Sequence, residues 1–262
     1  MKTILYGYLR LKLVILLFLT GFLFSLTFAT NNRELDNEIV EKGKAEFIYT
    51  SIKFPAGELK IKGGTNKLLD ADFTYSDPDW KPEIDYYEGE RIGNLHITLD
   101  KVNISFDEDD RNVWNLVLNK EIAQDLNIKF GAGDADLDLA GFNLENFEFT
   151  TGAGDYYINL SNTSVPRVEF KAGAGEAVID LSGRWQNNLS AEFNCGFGEL
   201  TIMLPRSTGC RVKVNGILGD IDYHDLRKDG NEYTNDRFRE TEHNLDIVIN
   251  GGMGQINLRM IE

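Results

Sequence analysis

The chain has 262 residues, with 42 acidic against 27 basic side chains and a formal net charge of −15 at pH 7. Such a surface repels nucleic acid and anionic lipid, excludes a nucleic-acid partner, and favours cations or basic partners. It also suits an exported β-rich protein that must stay soluble with its strand edges unpaired.

Residues 1–29 read as a secretory signal: Lys2, Arg10 and Lys12 precede an apolar run from Leu13 to Phe28 that ends at Thr27-Phe28-Ala29. The run is short for a spanning helix, so cleavage is expected rather than an N-terminal anchor, and with it no membrane span. Cleavage removes three of the 27 basic residues, leaving 24 against 42 acidic ones and a balance of −18. The expected location is the cell envelope, periplasmic or extracellular. Residues 30–44 are polar and charged, and read as a linker or frayed helix.

From residue 45 a pattern starts. Ile48, Thr50, Ile52 and Phe54 alternate up to Gly57, and Leu59 and Ile61 succeed it. An interruption comes next: Leu68-Leu69, an alternating run Ala71, Phe73, Tyr75, a turn from Ser76 to Asp79, and Trp80-Lys81-Pro82. Further strands are expected at Gly93 to Leu99 and Asn112 to Leu118, with the acidic run Asp107 to Asp110 as a loop between them. Residues 45–120 thus read as an N-terminal β sub-region of antiparallel strands and irregular coils, continuous with the repeat region 121–262 and capping its open end.

Residues 121–262 carry the organising repeat. Counted at its second glycine, a Gly-x-Gly or near variant recurs at Gly133, Gly154, Gly175, Gly198, Gly219 and Gly254, with gaps of 21, 21, 23, 21 and 35. Apolar residues alternate on both sides, as in Leu126, Ile128, Phe130 before Gly133 and Ala135, Leu137, Leu139 after it. Alternation about a fixed corner means two half-buried strands per coil. Identical register means that equivalent strands stack in parallel, about 4.8 Å apart. The predicted fold is all-β, a flattened parallel β-solenoid of roughly 21-residue coils, right-handed as strand twist favours. A strand, not a helix, comes after each Gly-x-Gly, which argues for a corner rather than a phosphate-binding loop.

Trp80-x-Pro82 with Tyr86 and Tyr87, the run Asn112-x-Trp114-x-Leu116-x-Leu118-Asn119, and Gly131-Ala132-Gly133-Asp134 followed by Gly152-Ala153-Gly154-Asp155 resemble the toast-rack domain of unknown function. That family is similar to the extracytoplasmic domain of LiaF-type envelope-stress proteins and to proteins described as bacterial adhesins. The resemblance implies a parallel β-solenoid with no established activity. The chain departs from the LiaF type in having no multi-helix membrane segment.

An acidic residue comes directly after most corner glycines, giving a ladder Asp134, Asp155, Glu176, Glu199 and Asp220 that ends at Gln255. Stacked carboxylates could share a hard cation such as calcium, yet solvated corner carboxylates explain them as well. His96, His224 and His243 do not recur with the coil. The lengthened segment 224–244 reads as a surface insertion or a recognition loop. Trp80 and Trp114 sit in alternating strands and are expected in the core; Trp185, at a lengthened corner, is the residue to test for sugar stacking, although a packed corner is the favoured reading there too.

Cys195 and Cys210 share the inward parity six residues apart along neighbouring strands, roughly 20 Å, too far for a bridge. Both are expected as buried free thiols. The strand Gln255 to Ile261 closes the sequence, which predicts an open parallel edge for self-association or docking on a partner strand.

The reading is an exported, non-enzymatic bacterial cell-envelope protein, a binding, adhesion or scaffold module whose partner is an envelope protein or a glycan. A regulatory partner in cell-envelope stress is the alternative, and a carbohydrate-active β-helix enzyme a weaker third. No catalytic, cofactor-binding or metal residue is assigned.

Overall fold

Strands succeed one another almost without interruption along a computed structural model that describes residues 34–100, 110–216 and 218–262. In order they are β1 (Glu34–Val40), β2 (Phe47–Gly63), β3 (Leu69–Tyr75), β4 (Glu83–Glu88), β5 (Ile92–Thr98), β6 (Asn112–Leu118), β7 (Ala123–Asp138) and β8 (Leu144–Asn159). The remainder are β9 (Arg167–Asp180), β10 (Leu189–Pro205), β11 (Gly209–Asn215), β12 (Leu218–Tyr223), β13 (Arg227–Asp229), β14 (Glu232–Thr234) and β15 (Asn244–Ile261). The expected signal peptide, and all but Asp110 of the expected acidic loop, lie outside the described residues. Among those residues no helix is long and apolar enough to cross a membrane.

Each long strand is a coil folded at its corner glycine: Gly57, Gly133, Gly154, Gly175, Gly198 and Gly254 in β2, β7, β8, β9, β10 and β15. The arm before the glycine and the arm after it turn their alternate side chains toward each other, and these close the core. Phe130 and Phe149 of the first arms meet Tyr156 of a second arm edge-on, with ring centres 6.1 and 5.5 Å apart. Along the stack Phe149 lies on Phe170 at 5.7 Å, and Phe54 on Phe130 at 5.4 Å.

The corner explains the glycines. Gly154 has φ +150°, and a Cβ there would stand 1.8 Å from the Gly133 carbonyl oxygen of the coil beside it. Gly152 needs only the room, since a Cβ would lie 2.6 Å from the Gly131 oxygen. The opposite corner opens with an Asx turn in successive coils: Asp138, Asn159 and Asp180 accept the backbone N–H of Ala140, Ser161 and Ser182 at 3.4, 3.0 and 2.8 Å. These three residues stand at the polar, outward parity of β7, β8 and β9 and also turn the chain.

In the middle of the stack chain order and spatial order agree: Gly133, Gly154, Gly175 and Gly198 are successive partners in parallel register. At both ends they do not. The first arm of β2 pairs with β5 and its second arm with β6, both parallel, while its whole length pairs with β7 on the other side. β5 and β6 are therefore two arms of one coil that lies outside β2 although it comes after β2 in the chain. Antiparallel strands then close this end, β4 on β5, β3 on β6 and β1 on β3.

At the other end β15 lies between β10 on one side and β11 with β12 on the other. The expected open edge at Gln255 to Ile261 is thereby corrected over residues 255–258, which lie between β10 and β12; residues 259–261 pair with β10 alone, and the outer strand of the second arms is β12. On the first-arm side β14 and β13 cover β11.

The expected linker at residues 30–44 is also corrected, because Glu34–Val40 is strand β1. Its polarity is that of an edge strand, which discourages further pairing. It is held to the sheet by Asn37, which donates to the Asp72 carboxylate at 3.0 Å, and by an ion pair of Asp36 with Lys81 at 2.7 Å.

Candidate functional site

The acidic ladder extends further than the glycine repeat announced and runs in a different order. Glu58 pairs with Asp134, then Asp155, Glu176 and Glu199 continue the row, and Gln255 comes between Glu199 and Asp220 instead of ending it. Two of its members are satisfied locally: Asp155 accepts the Glu176 N–H at 3.3 Å, and Glu199 accepts from the Asn257 amide at 2.6 Å. Among the described residues no group of three or more His, Cys, Asp and Glu side chains is placed to hold a metal ion. The ladder is an outward row of carboxylates.

The histidines are dispersed. His96 lies on β5, His224 comes just after β12, and His243 precedes β15. His224 Nδ1 is 3.2 Å from the Asp222 carboxylate and touches Arg259, which itself pairs with Asp222 at 2.7 Å. That set is an exposed charge cluster at the end of the stack.

Trp114 is in the core, as its alternation predicts; Trp80 is buried too, but on a short 3-10 turn, Pro78–Trp80, rather than in the alternating strand expected for it. Trp185 is buried too, and its indole N–H donates to the Leu181 carbonyl at 2.8 Å, so it packs a corner and presents no face to a sugar. The lengthened segment 224–244 holds the end cap. Tyr233 of β14 is buried against Tyr223 with ring centres 4.8 Å apart. Asn235 accepts the Cys210 N–H at 2.9 Å and donates to the Thr208 carbonyl at 2.7 Å. This insertion closes the core over the first arms.

Both thiols are free, and only Cys210 is fully buried; Cys195 is half-buried. They are two strands apart as well as six residues apart, since β15 intervenes. Burial pushes the Cys195 thiol up to about 11 and the Cys210 thiol up to about 12, far from the range of a nucleophilic cysteine. Cys195 also lines a cavity of about 30 Å³ inside the corner, with Ala172, Ala177 and Gly251. Small side chains at the inward position beside the glycines leave that space.

Two surface features were missed in the sequence. One is an asparagine row across the reordered end, in which Asn250 donates to Asn194, Asn215 to Asn250, and Asn231 to Asn215, each at 3.0 Å. The other is a group of exposed apolar side chains on β2, β4 and β5, namely Tyr49, Tyr87 and Ile92. The signal for the second was available, since an aromatic at the polar parity of a strand faces solvent.

These features define a β-solenoid of glycine-cornered coils with antiparallel strands laid over its ends. The family model for the N-terminal domain of toast_rack, DUF2154, matches residues 29–169 and 150–203, and the chain belongs to that family. Among solved structures, a putative cell adhesion protein from Clostridium sporogenes ATCC 15579 is similar over 88% of this chain and 100% of its own, at 27% identity and a TM-score of 0.67. A putative adhesin from Bacteroides fragilis NCTC 9343 is similar over 87% of this chain and 97% of its own, at 10% identity and a TM-score of 0.32. No curated protein matches the chain.

Proposed function

We propose that the protein is an exported, non-enzymatic binding module of the bacterial cell envelope, of the adhesion or scaffold kind, with an envelope protein or an envelope glycan as partner. The observation that carries this reading is the similarity to the Clostridium sporogenes protein over the whole of that chain. The architecture supports it physically. Stacked coils hold their outer side chains in rows at constant spacing, so a partner meets a pre-organised surface and loses little free energy to ordering it.

The test is to express the tagged full chain in a bacterium and fractionate the cells. The expected result is a mature protein that begins at residue 30, is found outside the cytoplasm, and retains an envelope component when immobilised. An unprocessed protein confined to the cytoplasm would overturn the reading.

A further inference from the structure

An apolar patch interrupts an otherwise polar sheet face. In the first-arm sheet β4, β5 and β2 are neighbours, and Tyr87 pairs with Asn94, which pairs with Tyr49. Strand alternation puts all three on the solvent side. Phe47 and Ile92, partners one row away, share that face. Tyr49 is 45% exposed, Tyr87 63% and Ile92 46%. Phe47 is half-buried and meets the Tyr49 ring edge-on at 5.0 Å, which holds that ring in place. On β8 and β9 the outward positions of the same face carry Asn146, Glu148, Arg167 and Glu169. Among the described residues the aromatic surface of this sheet is therefore confined to one end, and a contiguous apolar patch rimmed by polar residues marks a contact site.

We propose that this patch binds a neutral β-1,4-linked polysaccharide, with sugar rings stacked on Tyr49 and Tyr87 and with Asn94 hydrogen-bonded to hydroxyl groups between them. The two tyrosines lie two strands apart, about 10 Å, which is of the order of one disaccharide repeat in an extended chain. Every second sugar then meets a ring. Tyrosine presents a flat, rigid, amphipathic face with few torsions to fix, and the Asn94 amide offers both donors and an acceptor.

Charge decides which glycan fits. Asp125 borders Tyr49, and Asp85 stands beside His96 in the next row. Carboxylates at both margins repel uronic or sulfated chains and accept hydrogen bonds from neutral ones. Size argues against a protein partner, because four side chains fall well short of the roughly 20 to 30 residues a side of a stable protein interface.

The inference rests on the reading of the protein as a binding module, and its test separates the two. The full chain is run through native gels containing hydroxyethyl cellulose, glycol chitin or polygalacturonate, and titrated with cellohexaose and chitohexaose by calorimetry. Retardation by a neutral polymer is expected, with affinity for its hexasaccharide falling about tenfold or more in Tyr49→Ala and in Tyr87→Ala, little in Tyr49→Phe, and with unchanged thermal midpoints. The inference is overturned by no retardation in either neutral polymer, by equal retardation of the alanine variants, or by preference for polygalacturonate. Loss of a captured envelope protein in the double alanine variant would assign the patch to a protein and also overturn it. Envelope capture that persists without glycan binding removes this site and leaves the module reading in place.

Discussion

Gly254 is the partner of Gly198 in the corner row, the place that chain order gives to Gly219. Strand β15 consequently supports two neighbours, and its Leu245, Ile247, Ile249, Ile256 and Leu258 are all buried. Deleting residues 244–261 should remove a load-sharing layer from the interior. The expected outcome is loss of the cooperative thermal transition, since several buried aliphatic side chains at about 2–5 kcal/mol each exceed a typical stability of about 5–15 kcal/mol. A truncated protein that melts within a few degrees of the parent would contradict the strand order.

Gly154→Ala combines a clash with a backbone oxygen and an unfavourable φ, and should destabilise by more than about 3 kcal/mol. Gly64→Ala is the control. Its φ is +133°, but a Cβ there meets nothing within 4 Å, so only the conformational cost of about 1–2 kcal/mol applies. Urea unfolding of the two variants should differ in midpoint accordingly.

Asp125 has its carboxyl raised above 3.8, first by burial and then by Glu145 and Glu148. A carboxylate whose folded value lies above its unfolded one lowers stability at neutral pH, and that cost disappears as pH falls below the unfolded value. Asp125→Asn should therefore melt higher than the parent at pH 7, with the gap closing below about pH 4. A constant gap across that window would show that the substitution acts through packing instead.

The thiols should label far more slowly in the native protein than in urea, with half-buried Cys195 reacting before Cys210. Intact mass under non-reducing conditions should show both reduced. A disulfide between them would require displacing β15 from between their strands as well as shifting one strand by about six residues, roughly 20 Å, and would refute the register.

Much of the fold was legible because one residue type carried one job. Gly133, Gly154 and Gly175 announce the corner, and residues such as Phe149 and Ile158 announce which side faces in. The order of the outer coils was not legible. Gly219 and Gly254 carry the same local pattern, so either can stack on Gly198, and the choice depends on contacts distant in sequence such as Asn250 with both Asn194 and Asn215.

Edge strands failed for a related reason. Residues 34–40 are polar where a strand signal is sought, because an edge has only one neighbour to satisfy. At the candidate site, Trp185 drew attention by type but packs its corner, as favoured, while Tyr49 and Tyr87 were distinguished only by parity.

The reordered ends have a consequence for biosynthesis. A ribosome delivers β11 and β12 before β15, yet their place in the sheet exists only once β15 has settled on β10. A nascent chain that stacked each coil as it emerged would lay Gly219 on Gly198 and trap itself in the wrong order. Correct assembly therefore favours a late, concerted closure after residue 261 is available, at the cost of slow folding through contacts distant in sequence. A chain that must be threaded through a narrow translocation channel before it folds would gain from that delay.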